Sequence, residues 1–374
     1  MKQHDKCCLR SNLFGQWFSW TKNISFYDKF EEIYPERESK IDFKKAKLIT
    51  SCWSYNIFDV DNIFYIAGSW HGRDNQIVKV PVPEEKEQSC KASSLLITGN
   101  DYMIILVEAI TRSIWFFDFE TEDFKKVKFN EEPILENSVK KSRLTDDVIK
   151  VAATNNTFIY LTSEGNVYTG QLPSYVDTHT CVGKACDIEC GYEHYMLLTT
   201  EGRVYTWGNG RRLQLGHGDL TNLDLPTEVE ALAGIKIVKI KAGGWHSLAL
   251  SEYGDLYAWG WNDTGQLGMN INKNGEENLE RKGQKNYAIP RPVDIYDDQG
   301  EEIELIIKDI ACGTRHSAIL LEDNTVWTTG CNKYGQLGFS PKDYEKLEYF
   351  KKSYHNPNIT NVIGGPWSTI VEIT

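Results

Sequence analysis

The sequence predicts an all-β fold: a seven-bladed β-propeller, closed by N- and C-terminal strands in one shared blade. Three observations predict this fold: a two-strand repeat, its recurrence along the chain, and complementary gaps at the two termini. Aromatic residues make up 12% of the 374 residues, which favours sheet structure. A chain of this length can bury a core, so we expect residues 1–374 to form a single propeller domain.

The clearest copy of the repeat spans residues 241–268. Its pattern predicts an apolar strand over 247–250, a tight turn with Gly254 at positive φ, and a second strand over 256–259. A closing Gly-Gln-Leu-Gly follows at 265–268. A single hairpin leaves one of its faces uncovered, so such a unit requires copies of itself alongside.

Copies of this unit lie on both sides of it, with openings 52 and 70 residues apart. The matched glycines indicate backbone requirements at strand ends and turns, and the matched histidines indicate buried hydrogen bonding. These structural repeat residues are Gly191, His194, Gly243, His246, Gly260, Gly265, Gly313, His316, Gly330 and Gly335. Trp207, Trp259 and Thr329 share one position in the second strand, where packing between blades is expected.

Weaker units precede the clear ones and bring the total to seven. The residue three positions after each opening marks them, and the markers are Ser54, Tyr102, Thr157, His194, His246, His316 and Trp367. The last unit, from Ile363, ends without its second hairpin strand and closing turn. Residues 7–10 and 12–16 match those missing parts, so both termini are predicted to complete one blade, which removes exposed sheet edges.

Two charged or polar segments interrupt the pattern. Residues 270–289 are predicted to form an exposed insertion loop, and the charged region 121–147 is expected between blades 2 and 3. The formal net charge of −12 disfavours direct, sequence-specific nucleic-acid binding and favours a protein partner. The N-terminus has no apolar signal core, and no apolar run is long enough to predict a membrane span. Nine cysteines, an odd number, favour a reduced intracellular compartment.

No pattern of catalytic or cofactor-binding residues is present, so we expect no enzyme activity and no cofactor. Cys181, Cys186, Cys190 and His194 are candidate ligands for a zinc ion. Their spacing is longer than in common structural zinc sites, and a metal is not predicted. Cys52, Cys190 and Cys312 lie near unit openings and are interpreted as small buried hydrophobic residues.

Ring geometry predicts that the residue before each marker lies on one rim of the propeller. These residues are Trp53, Asp101, Asn156, Glu193, Trp245, Arg315 and Pro366. A rim of Trp, Arg and acidic residues is typical of a protein interface, and the best candidates for partner binding are Trp53, Asp101, Glu193, Trp245 and Arg315. The alternative is that Trp245 only packs on its neighbour.

The units over about 187–340 resemble the regulator-of-chromosome-condensation repeat. Segments 53–55, 242–247, 259–262 and 365–367 are most similar to the small, stand-alone members of that family. This resemblance implies a non-enzymatic scaffold, monomeric or in a heterodimer, that binds a JmjC-domain oxygenase in the nucleus. It also implies roles in histone methylation, spindle organisation and chromosome segregation.

Other branches of the family imply other functions. The founding member exchanges nucleotide on a small GTPase and binds nucleosomes, so a guanine-nucleotide exchange factor is the alternative function, and a histone or a small GTPase is the alternative partner. The alternative location is the cytosol. The ultraviolet photoreceptor branch carries Gly-Trp-Arg-His-Thr openings. The Trp-Arg pair is missing from the units that open at Gly191, Gly243 and Gly313, which disfavours photoreception. Ligase-coupled members have a catalytic domain too large for this chain.

Overall fold

Strands dominate the computed structural model, which describes residues 7–11, 31–32, 46–70, 73–83, 95–129, 146–269, 286–297, 299–304 and 306–373. A short 3₁₀ helix, Glu230–Leu232, follows one of the strands. None of the helices in these ranges has the length and apolarity needed to cross a lipid bilayer.

The strands group into four-stranded antiparallel sheets, and six of the sheets each come from one continuous segment. We number these sheets 1 to 6 in chain order, and their strands first to fourth. Sheet 1 contains Lys47–Ser51, Tyr55–Val60, Ile63–Trp70 and Arg73–Lys79. Sheet 2 contains Leu95–Gly99, Met103–Glu108, Ser113–Asp118 and Phe124–Lys128. Sheet 3 contains Val148–Ala153, Phe158–Thr162, Val167–Thr169 and Ser174–Val176.

Sheets 4 to 6 contain the clearest repeats, and their second strands begin at the matched histidines. Sheet 4 contains Ala185–Cys190, His194–Thr199, Val204–Gly208 and Leu223–Glu228. Sheet 5 contains Ile237–Ala242, His246–Ser251, Leu256–Trp261 and Asn286–Pro292. Sheet 6 contains Ile307–Cys312, His316–Leu321, Thr325–Cys331 and Lys346–His355.

A further sheet, the terminal sheet, combines the two ends of the chain. Its strands, in order, are Ile359–Gly365, Ser368–Ile373, Cys7–Ser11 and Glu31–Glu32. Cys7–Ser11 pairs along its full length with Ser368–Ile373, with Leu9 opposite Val371. The prediction that residues 7–10 supply the missing hairpin strand is therefore confirmed. The predicted closing turn at 12–16 lies outside the described residues.

Hydrophobic clusters join each sheet to the next. Trp259, fully buried, packs between sheets 4 and 5 and donates its indole N–H to Gln214 O at 2.9 Å. Ile370 of the terminal sheet packs on sheet 1, and Val371 packs on sheet 6, so the ring is closed. Burial of such side chains contributes about 2–3 kcal/mol each. The prediction of an all-β propeller is confirmed.

Two predicted segments differ from the structure. Residues 286–289, assigned to the insertion loop, lie in the fourth strand of sheet 5, because buried Tyr287 pairs opposite Gly260. Residues 124–128, expected between blades, form the fourth strand of sheet 2 opposite Ser113–Asp118. The sequence Phe-Lys-Lys-Val-Lys buries Val127 and exposes its lysines, so a charge count alone does not distinguish this strand from a loop. Residues 270–285 and 130–145 lie outside the described residues.

Candidate interaction surface

One face of the propeller has the turns between first and second strands, and we call it the turn face. Each turn has two positions. The first positions are Trp53, Asp101, Asn155, Tyr192, Gly244, Thr314 and Pro366, and the second positions are Ser54, Tyr102, Asn156, Glu193, Trp245, Arg315 and Trp367. Loops between third and fourth strands open on the same face, because antiparallel strands alternate in direction.

The register of the predicted rim is wrong by one residue in three units. Gly191 N–H donates to His194 O at 2.9 Å, and the same bond joins Cys52 to Tyr55 and Asn100 to Met103. The markers Ser54, Tyr102 and Trp367 therefore move to Tyr55, Met103 and Ser368. Trp53, Asp101 and Pro366 accordingly occupy the first turn position, whereas Asn156, Glu193, Trp245 and Arg315 occupy the second.

Asn100 explains why the sequence places the opening of sheet 2 one residue too early, at Gly99. Its side-chain Oδ1 accepts hydrogen bonds from the backbone N–H groups of Tyr102 (2.9 Å) and Met103 (3.1 Å). This Asx turn takes the place of the opening glycine, so Gly99, one residue earlier, is not the equivalent of Gly191. A search for Gly at a fixed offset cannot detect such a replacement.

Hydrogen bonds between neighbouring turns fix the backbone of the turn face. Tyr192 N–H donates to Gly244 O (3.1 Å), Gly244 N–H to Thr314 O (3.0 Å) and Thr314 N–H to Pro366 O (2.8 Å). On the other side of the ring, the Asp101 carboxylate accepts from Trp53 N–H at 3.3 Å and from Asn155 Nδ2 at 3.1 Å, the distances being donor to acceptor. Side chains at the second position therefore project from a fixed frame.

The matched histidines lie under these turns, and two of them, His194 and His246, join adjacent sheets. His194 Nε2 lies 3.2 Å from Ser247 Oγ of the next sheet, and that hydroxyl donates to Gln214 O at 3.0 Å. His246 makes the same contact with Ser317 at 3.0 Å. Burial lowers the pKa of His194 and His246 to about 3 and that of His316 to about 4, so all three are neutral near pH 7.

The matched glycines have the conformations that the repeat requires. Gly191, Gly243 and Gly313 each face their own histidine ring, because an added Cβ would lie 2.0–2.1 Å from its Cε1 atom. Gly260 and Gly330 are the next-to-last residues of their third strands, at φ +100° and +106°, and Gly265 and Gly335 have φ +84° and +78°. These glycines therefore support the backbone of the turn face.

The four candidate zinc ligands lie in different surroundings. Cys190 and His194 are buried at the two sides of a turn, while Cys186 is exposed and its Sγ lies 3.4 Å from Leu198 O. In the described ranges, no three His, Cys, Asp or Glu side chains are grouped as metal ligands would be. Cys52, Cys190 and Cys312 are buried, in the way that the sequence suggested.

An aromatic and cationic group, the arginine–tryptophan cluster, lies on sheets 4 and 5 of the turn face. It consists of Tyr192, Arg212, Trp245 and Trp261. Tyr192 and Trp245 meet edge to face with ring centroids 5.1 Å apart. The guanidinium of Arg212 lies over both indoles, 4.4 Å from the centroid of Trp245 and 4.3 Å from that of Trp261.

Two further predicted rim residues are held by contacts within the chain. Arg315 forms an ion pair with Asp263 of the preceding repeat, and Glu193 Oε2 accepts from Asn209 Nδ2 at 2.8 Å. By contrast, Trp53 is 37% exposed, and Tyr102, which the sequence marks as a repeat position and not as a rim residue, is 60% exposed. The turn face thus presents large aromatic side chains to solvent on sheets 1 and 2.

Comparison with known proteins identifies the repeat. Residues 201–250 and 253–320 match one model of the regulator of chromosome condensation (RCC1) repeat, and residues 185–214, 237–266 and 307–336 match a second. The chain contains RCC1 repeats. The resemblance drawn from residues 187–340 is confirmed.

Relatives with RCC1 repeats match about half of this chain. RCC1 domain-containing protein 1 of Mus musculus is 35% identical over 217 residues, covering 49% of this chain and 54% of the relative. The Homo sapiens protein of that name is 34% identical over 212 residues, covering 50% and 56%. The chain therefore spans about half the length of the curated relatives it matches.

Solved structures show the same fold at low identity. Human WBSCR16 superposes with a TM-score of 0.67 at 14% identity, covering 99% of both chains. Prp20p from Saccharomyces cerevisiae superposes with a TM-score of 0.69 at 16% identity, covering 99% of this chain and 91% of its own. These likenesses establish the RCC1-like propeller fold alone.

The first strands of the propeller line a central channel with ion pairs. Lys150 Nζ lies 2.9 Å from Glu189 Oε1, and Lys241 pairs with the same carboxylate. Burial alone would raise the pKa of Glu189, but the ammonium groups of Lys241 and Lys150 lower it to about 2. The channel, with a cavity of about 370 Å³, is thus held together by charge across sheets 3 to 5.

Glu189→Gln should destabilise the fold by about 2 kcal/mol, because Lys241 keeps its charge without a carboxylate partner. The estimate is below that for a fully buried pair, since the lysines are partly exposed. Urea unfolding at pH 7 measures the change. The matched control is Glu252→Gln, which breaks the exposed pair with Lys236 (3.0 Å) and is expected to leave stability unchanged. Equal stability of both variants and the wild type would contradict the expectation.

Proposed function

We propose that this RCC1-repeat chain is a non-enzymatic protein-interaction scaffold that binds its partner through the turn face. The observation that supports this most is the exposure of Trp53 and Tyr102 on adjacent turns whose backbones are tied through Asp101. Exposed aromatic side chains on a fixed backbone lose little conformational entropy on binding, and aromatic anchors dominate binding energy in many interfaces.

A JmjC-domain oxygenase is the partner that we propose, as the sequence resemblance implies. In such a heterodimer the oxygenase would hold iron and 2-oxoglutarate, and this chain would position or regulate it at chromatin in the nucleus. Histone methylation, spindle organisation and chromosome segregation are the processes that follow from this partner. The net charge of −12 suits a basic protein surface better than nucleic acid.

The second candidate function is guanine-nucleotide exchange on a small GTPase. It is favoured by the structural likeness to Prp20p, which binds Gsp1p and histones. Nucleotide release from a purified small GTPase discriminates the two functions. The scaffold proposal predicts no acceleration of release, whereas a stimulated rate in the absence of any bound oxygenase would favour exchange activity.

Trp53→Ala combined with Tyr102→Ala should reduce capture of the oxygenase from nuclear extract at least about 10-fold, the effect of losing central aromatic anchors. The measurement is affinity purification of the tagged protein at moderate salt, with quantitative mass spectrometry. The matched control is Tyr253→Ala, which removes a side chain 77% exposed on the opposite face. Equal capture by the double variant and the control would contradict the proposal.

Trp245→Ala and Arg315→Ala are less informative variants. Trp245 contacts Tyr192 and Arg212, and Arg315 pairs with Asp263, so either substitution also changes contacts within the propeller. If both variants leave every partner interaction unchanged, the candidate surface for partner binding is limited to sheets 1 and 2.

We also infer that the terminal sheet acts as the seventh blade that the sequence predicts. The inference is supported by its packing against both sheet 6 and sheet 1 and by its four-strand order. Deletion of residues 1–11 should therefore lower thermal stability, because Ser368–Ile373 loses one of its two partner strands and becomes a sheet edge.

A further inference from the structure

We propose that the arginine–tryptophan cluster binds a carboxylate of an acidic segment in the partner protein. The inference rests on the proposed function in one respect: it names the chemistry of the segment that the scaffold binds. It concerns sheets 4 and 5, a different part of the turn face from Trp53 and Tyr102.

The contacts of Arg212 hold its guanidinium in place. The group lies over the faces of two indole rings, 4.4 and 4.3 Å from their centroids. The N–H donors lie in the plane of the guanidinium, where a carboxylate binds through two parallel hydrogen bonds. Contact with Trp245 and Trp261 therefore restricts the position of the cation, and its N–H donors are the groups that a carboxylate ligand would bind.

Within the described part of the chain, the guanidinium donors of Arg212 have no acceptor. The hydrogen bond that Arg212 makes uses its backbone N–H, which donates to Gln214 Oε1 at 2.9 Å. Other arginines differ: Arg112, Arg203 and Arg315 each form an ion pair with an acidic residue. A half-buried, stacked arginine without a carboxylate is an incomplete ion pair that an acidic ligand would complete.

An open cleft of about 440 Å³ lies beside this guanidinium. It is lined by Glu193, Asn209, Arg211, Arg212 and Trp261. Arg211 is exposed and brings a second positive charge, while Glu193, the acidic residue of the lining, is hydrogen-bonded to Asn209. A local excess of positive charge in a chain of net charge −12 favours an acidic ligand at this place.

The turn that contains Arg212 differs from its counterparts in sheets 5 and 6. The same bond from a backbone N–H to a glutamine Oε1 identifies Thr264 and Tyr334 as the equivalents of Arg212. The following residue is glycine in both counterparts, at positive φ, whereas here it is Leu213 at φ +63°. A non-glycine residue in this conformation costs about 1–2 kcal/mol. This cost is consistent with specialisation of the turn for binding.

The test is fluorescence anisotropy at low salt with a labelled 12-residue peptide of Glu and Asp, and a matched peptide of Gln and Asn. We expect the wild type to bind the acidic peptide and not the neutral one. Arg212→Ala and Arg212→Lys should each weaken binding about 10-fold or more, since lysine keeps the charge but loses the planar fork. Arg291→Ala, which removes an exposed arginine from the fourth strand of sheet 5, is the matched control.

Equal binding of both peptides, or unchanged binding by the Arg212 variants, would overturn the inference. Binding of a phosphoserine peptide without binding of the acidic peptide would overturn it as well, because the site would then require a phosphate. Unfolding midpoints of the variants establish that each is folded. If the oxygenase is captured normally by both Arg212 variants and no peptide binds, this inference fails and the proposed function stands. Loss of capture by the Trp53 and Tyr102 variant addresses the proposed function separately.

Discussion

Lowering the pH from 7 to 5 should remove about 6 kcal/mol from the free energy of unfolding. His194, His246 and His316 are buried, and burial lowers the pKa of each to about 3 or 4. In the unfolded chain they titrate near pH 6.5, so the unfolded state binds more protons between pH 6.5 and the folded values. The stabilisation is complete above pH 6.5 and is lost as the pH falls, by about 2 kcal/mol for each histidine at pH 5.

Urea unfolding at pH 7, 6 and 5 measures this loss. Carboxylates do not explain a loss in this window, because Asp146 and Glu189 have lowered pKa values and affect stability only below about pH 4.5. His246→Gln is the informative variant: it should be less stable at pH 7, but its loss of stability between pH 7 and 5 should be about 2 kcal/mol smaller. A stability independent of pH between 7 and 5 would show that the histidines do not remain neutral in the folded protein.

Gly243→Ala should destabilise the fold by about 3 kcal/mol, the upper range for overpacking a tight core. An added Cβ would lie 2.1 Å from Cε1 and 2.4 Å from Nδ1 of His246, and 2.8 Å from Gly313 O of the next sheet. Neither neighbour moves easily, because the ring is hydrogen-bonded to Ser317 at 3.0 Å and Gly313 belongs to the next turn. The change should therefore lower the unfolding midpoint in urea with a single transition.

Gly234→Ala is the control for this substitution. Gly234 has φ +86° and an added Cβ would meet no atom within 4 Å, so only the cost of a left-handed alanine remains, about 1 kcal/mol. If the two variants are equally stable, the turn has more room than the contacts of His246 indicate.

The sequence predicts most of the fold because the same local requirements recur. Gly191, Gly243 and Gly313 precede their histidines at a constant offset, and the terminal strands supply what the last unit lacks. The register of sheets 1 and 2 could not be predicted in this way, because Cys52 and Asn100 replace the opening glycine. That register is set by hydrogen bonds, which the residue pattern does not show.

The candidate surface was predictable only in part. Trp53, Glu193, Trp245 and Arg315 lie on the turn face, but Arg212 and Trp261 were not selected by the sequence. Arg212 differs in residue type from its equivalents Thr264 and Tyr334, so the repeat pattern does not select it. The signal that could have indicated them is the replacement of a repeated glycine by Leu213. Their contact requires loops of two neighbouring repeats to be placed in space.

The most direct test of binding through the turn face is hydrogen–deuterium exchange of this protein, alone and with the purified JmjC oxygenase. We expect slower exchange in peptides that contain turns 52–54 and 100–102, with no change in the opposite turns at 200–203, 252–255 and 322–324. Protection confined to the opposite turns, or no protection at all, would contradict binding through the turn face.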